Sequence, residues 1–108
     1  MKKDETYLID ILDSAKIAVS YLENFSQEKF NSDYKTQDAV IRRLEIIGEA
    51  SSKVSETGKE IYSDLPWREM KSMRNFLIHE YDDVDFEVVW ETVKTNLPPL
   101  IKQLEKIL

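Results

Sequence analysis

The sequence predicts an all-α protein, a bundle of four to five helices. Three observations lead there. Only 2 glycines and 3 prolines interrupt 108 residues, apolar residues recur at spacings of three and four, and no stretch shows the two-residue alternation of a half-buried strand. With 42% hydrophobic and 33% charged residues, the composition is that of an ordinary globular protein, and the length suits a single domain spanning 1–108.

The first helix is expected over residues 4–24, with Tyr7, Leu8, Ile11, Leu12, Ala15, Ala18, Val19 and Leu22 along one face. Ser26 is a cap for a short turn of helix over 27–30. Thr36 is the expected cap of a long second main helix, with Asp38 in its first turn and Gly58 as its stop. Val40, Ile41, Leu44, Ile47 and Val54 form its stripe, widened by Ala39, Ile46 and Ala50. So broad an apolar arc predicts a central helix. Pro66 suits the first turn of a third main helix reaching about Tyr81. After a break over 82–85, Asp85 caps a fourth helix through Val88, Val89, Trp90, Val93 and Leu97, which Pro98 and Pro99 must kink or interrupt before Leu100, Ile101, Leu104, Ile107 and Leu108.

The chain has no cysteine, which excludes disulfides, thiolate nucleophiles and cysteine-held zinc or iron-sulfur centres. Asp4 and Glu5 follow two lysines with no apolar segment behind them, and no apolar run reaches spanning length. Neither a secretory signal nor a membrane span is expected, which makes the cytoplasm the expected compartment. The net charge of −6 opposes general polyanion binding. Charge is uneven, however. Residues 66–79 hold Arg68, Lys71 and Arg74 against Glu69 alone, whereas residues 80–91 hold six acids and no base. A local basic patch on an acidic body suits transient engagement of a short anionic site, or of an acidic protein partner.

The stretch from Arg74 to Tyr81 carries the chemistry. With Trp67 at zero on a helical wheel, Met70, Met73, Leu77, Ile78 and Tyr81 share one apolar arc with Arg74 in its middle. A guanidinium there needs a partner: a structural ion pair with Glu45 or Glu49, or an anionic ligand. His79, the only histidine, falls about 140° from Arg74, beside Asn75, Ser72, Lys71 and Arg68. A lone histidine is commonly a helix-end or surface residue. It also excludes metal sites built from paired histidines and the di-iron bundle pattern, so no metal and no cofactor are expected. Together, Arg74 and His79 suit metal-free phosphoryl transfer, imidazole moving the proton of a ribose 2′-hydroxyl and guanidinium holding the phosphorane charge. Their divergence on one helix is eased if the helix ends near His79 or if two chains share the sites. Phe76, read as an exposed aromatic, fits a homodimer. Tyr81 is either core or a phenol beside the site.

Arg74, four residues, His79, one residue, Tyr81 resembles the signature of the HEPN superfamily as it occurs in HepT-like toxins. The similarity extends to the helix from Thr36 to Ala50, to Pro66-Trp67-Arg68, and to Val84-Asp85, Val89-Trp90 and Leu97-Pro98. The resemblance implies a HEPN-type bundle that dimerises and forms a composite, metal-independent endoribonuclease site from Arg74 and His79, with Asn75 in support. It also implies a toxin paired with an MntA-like nucleotidyltransferase antitoxin, which can AMPylate the position of Tyr81. Two other readings stand beside it: a non-catalytic helical partner presenting nucleotide or substrate to a nucleotidyltransferase subunit, and a purely structural helical dimer.

Overall fold

The computed structural model describes residues 2–79 and 84–108, with positions 2, 78 and 79 described through their backbone. Its helices are α1 (Lys2–Tyr21), α2 (Gln27–Asn31), α3 (Tyr34–Lys53), α4 (Glu56–Ile61), α5 (Trp67–His79), α6 (Phe86–Glu91) and α7 (Leu97–Ile107), with a π-helical turn at Thr92–Asn96 between the last two. Among the described residues there is no strand. The all-α expectation holds, with short helices added to the main ones.

The first stripe is placed as its spacing requires. Leu8, Ile11, Ala15, Ala18 and Leu22 are fully buried, while Tyr7, Leu12 and Val19 flank them half-buried. Burying a leucine or isoleucine in this way stabilises by about 1.5–3 kcal/mol. Helix α3 is central, packing against α1, α5 and α2 through Val40, Leu44 and Ile47. Helix α7 closes the other side of α1. Phe30 links α2 to α6, its ring 6.1 Å from Phe86 in an edge-to-face arrangement and 5.8 Å from Trp90.

Two expected boundaries move. The α3 cap is Asp33, whose carboxylate accepts from the Thr36 amide at 3.1 Å, so Thr36 lies inside the first turn. Gly58 does not stop α3. The chain leaves the helix at Val54, and Ser55 caps a new helix, its Oγ accepting from the Gly58 amide at 3.0 Å. A distant contact favours this break, because the buried carboxylate of Asp4 accepts from the Ser55 amide at 3.0 Å and from its hydroxyl at 2.6 Å.

Pro98 and Pro99 interrupt the helix by changing its register rather than by breaking it. Asp85 caps α6 as expected, accepting from the Glu87 amide at 2.9 Å. Then the Leu97 amide donates to the Thr92 carbonyl five residues back, and the prolines occupy the first turn of α7.

Candidate functional site

Helix α5 buries Met70 and Leu77, with Trp67, Met73 and Phe76 half-buried beside them. The line through Met70 and Leu77 marks the direction of the core, and Arg74 lies about 50° to one side of it. Arg74 is therefore half-buried at the flank of the apolar arc, rather than in its middle. Phe76 is not the exposed aromatic the wheel suggested; it lies only about 60° from Met73 and packs partly against the core.

What holds Arg74 is Gly48. A Cβ built on Gly48 would lie 2.5 Å from the Arg74 Cβ, closer than real side chains approach, and a tight 3.2 Å from its Cα. The two helices meet there, and the stem of Arg74 is fixed at its root. Farther out, the Arg74 Nε is shielded from solvent with no hydrogen-bond partner among the described residues. Of the two alternatives for this arginine, the ion pair with Glu45 or Glu49 is not formed: the ion pairs among the described residues are Lys16 with Glu105, Arg42 with Glu45 and Lys59 with Glu56. A buried donor without an acceptor is costly, and such groups are concentrated where a ligand supplies the acceptor.

Helices α3, α4 and α5 line a pocket of about 340 Å³ around this arginine, and among the described residues Lys59, Arg68, Lys71 and Arg74 bring cations to its wall without any acid. Ser51, Ser52 and Trp67 complete the lining. The indole is held by its N–H donating to the Tyr62 carbonyl at 3.0 Å, with the Lys59 ammonium 5.9 Å from the ring centre. Lys59 also reaches Glu56 at 4.0 Å, but that carboxylate is 91% exposed and screens little. Glu69, the one acid between Pro66 and His79, faces the other way. It lines an apolar groove with Met70, Met73 and Leu100.

The remaining candidates follow the helix. Asn75 is exposed on α5 and does not line the basic pocket. His79 is the last residue of α5, its backbone about 7.5 Å along the axis beyond Arg74. The expected continuation of this helix to about Tyr81, and Tyr81 itself, lie outside the described residues. Sequence reasoning missed Gly48, Ser51, Ser52 and Lys59. One signal was available, since a glycine in the interior of a long helix costs about 1 kcal/mol relative to alanine and usually marks a close approach. Among the described residues no cluster of three or more histidine, aspartate or glutamate side chains is arranged to hold a metal, and no helix is long and apolar enough to cross a membrane.

A family model described as "Ribonuclease HepT-like" matches residues 11–107. The chain belongs to the HepT-like ribonuclease family. Among its relatives, "Probable ribonuclease HepT" of Thermococcus cleftensis is 42% identical over 98% of this chain and 96% of its own length. A Methanocaldococcus jannaschii protein provisionally named an RNase is 38% identical over 99% of this chain and 89% of its own length. Another so named, from Caldanaerobacter subterraneus, is 38% identical over all of this chain and 96% of its own. No solved structure matches the chain. HepT-like membership agrees with the resemblance carried by Arg74, His79 and Tyr81, and makes this an enzyme family rather than a purely structural bundle.

Proposed function

We propose that this HepT-like protein is the toxin of a toxin-antitoxin pair, acting in the cytoplasm as a metal-independent endoribonuclease. The observation that carries this is Arg74: a guanidinium rooted against Gly48, its Nε buried and without a partner among the described residues, in a pocket where those residues bring four cations and no acid. In the proposed reaction the His79 imidazole takes the proton of a ribose 2′-hydroxyl. The 2′-oxygen bonds to phosphorus, Arg74 holds the phosphorane charge, and the bond to the 5′-oxygen breaks as that oxygen receives the proton. The products are a 2′,3′-cyclic phosphate and a 5′-hydroxyl. Asn75 supports the site, which two copies of the chain complete together as a homodimer. An MntA-like nucleotidyltransferase silences the toxin, with Tyr81 as the acceptor of AMP.

Incubation of the purified protein with RNA in EDTA tests the reading. Cleavage with cyclic-phosphate ends is expected, and Arg74→Ala or His79→Ala should abolish it with helical content preserved. If both variants cut as the parent does, the catalytic assignment fails. A non-catalytic partner of a nucleotidyltransferase, the reading that the net charge of −6 favours, would then replace it.

A further inference from the structure

The reaction assigned to Arg74 and His79 leaves most of the basic pocket unused. Arg68 and Lys71 precede Arg74 on α5 by six and three residues, so they lie about 9 and 4.5 Å back along the axis, away from His79. Lys59 reaches the same pocket from α4. Among the described residues neither Arg68 nor Lys71 forms an ion pair, and like charges gathered around one concavity repel each other until an anion enters. Trp67 gives the pocket an apolar wall, and its N–H is already engaged with Tyr62. At about 340 Å³ the space is at the small end of ligand pockets, suited to one nucleotide unit of a single strand.

We infer that Lys59, Arg68 and Lys71 form a phosphodiester subsite beside Arg74, which grips the backbone of single-stranded RNA next to the linkage being cut. The subsite rests on the ribonuclease reading and extends it. It positions the strand through charge, without reading its bases, and it draws RNA to one face of an otherwise acidic protein. The cations fall on the N-terminal side of Arg74 along α5, so the strand runs along that helix toward His79.

The test uses a single-stranded oligonucleotide carrying 2′-O-methyl groups throughout, which cannot be cut, bound to the intact protein across a series of salt concentrations. Arg68→Gln and Lys71→Gln, both at exposed positions, should each weaken binding several-fold. Each should also lower the slope of log affinity against log salt by about 0.7, the loss of one single-strand phosphate contact. Lys102→Gln, exposed on α7, should change neither. With cleavable RNA the two pocket variants should raise KM and keep kcat. Unchanged affinity and slope in both would overturn the subsite, as would AMP alone binding as tightly as the oligonucleotide, or loss of an acidic protein partner with RNA binding intact. If the expected binding losses appear in a protein that cuts no RNA, the subsite is supported and the catalytic reading alone fails.

Discussion

Gly48 of α3 and Arg74 of α5 meet so closely that a Cβ on the glycine would stand 2.5 Å from the Cβ of the arginine. The atoms in the way are the root of Arg74 and its backbone, which cannot rotate aside as the end of a side chain can. Gly48→Ala must therefore move α5 or tilt Arg74. Overpacking costs about 1–3 kcal/mol, against a gain of about 1 kcal/mol from replacing a helical glycine. The net expectation is a loss of about 1 kcal/mol, seen as a Tm lowered by about 4–8 °C. RNA cleavage should fall by about 10²-fold, because a misplacement of about 1 Å can cost that much. A Tm unchanged or raised, with full activity, would show that the close approach has no hold on the site.

The unpartnered Nε of Arg74 leads to an opposite effect on stability. Among the described residues it is a buried donor without an acceptor, a cost of about 1–3 kcal/mol, and its charge adds to the repulsion among Lys59, Arg68 and Lys71. Arg74→Met keeps the stem against Gly48 and removes both penalties. Thermal unfolding should shift upward by several degrees, while RNA cleavage falls by about 10²–10³-fold, the scale of losing one group that stabilises transition-state charge. Arg74→Lys should not restore activity, since a point charge lacks the planar fork of the guanidinium. A destabilised Arg74→Met protein would instead identify Arg74 as structural.

Acid should release the first helix from the fourth. Hydrogen bonds from the Ser55 hydroxyl and then the Ser55 amide hold the Asp4 carboxyl below its ordinary value, overcoming burial, which acts the other way. The Thr36 amide lowers Asp33 similarly. A lowered carboxyl binds fewer protons folded than unfolded, so its contribution is complete above the ordinary value of 3.8 and fades as pH falls below it. Unfolding midpoints should be insensitive to these groups from pH 5 to 7 and drop below pH 4. Asp4→Asn should lower stability at pH 6 and flatten the acid slope. An unaltered slope in that variant would remove Asp4 from the acid response.

How much of this was legible from sequence depends on how local each cause is. The faces of α1 and α3 could be read because a one-sided stripe records which way a helix packs. The start of α3 could not be separated by pattern alone, since Asp33 and Thr36 are both capping residues three apart; Asp33 prevails because its carboxylate meets the amide of Thr36 itself. The role of Gly58 depends on Asp4, which is bonded to Ser55 across 51 positions of chain, and no local rule contains that contact. At the site, the arginine on an apolar face and the basic run from Arg68 to Arg74 were visible along one helix. Lys59, Ser51 and Ser52 join them only through the packing of α3 and α4 on α5. The wheel also misjudged Phe76, because its zero was set at Trp67 instead of on the buried line through Met70 and Leu77.

Tyr81 offers a way to separate silencing by modification from silencing by occlusion. It follows His79 by two positions, and in the proposed reading AMP attached to its phenol adds a bulky phosphodiester to the motif. Its negative charge would compete with an RNA phosphate for Arg74, and its volume would exclude the strand. Mass spectrometry after incubation with ATP and the nucleotidyltransferase should show AMP on Tyr81, with RNA cleavage lost in step with modification. Tyr81→Phe removes the acceptor oxygen and keeps the ring. It should remain toxic when the antitoxin is co-expressed, whereas the parent chain is neutralised. Neutralisation of Tyr81→Phe to the same degree would mean that the antitoxin covers the site without modifying this tyrosine.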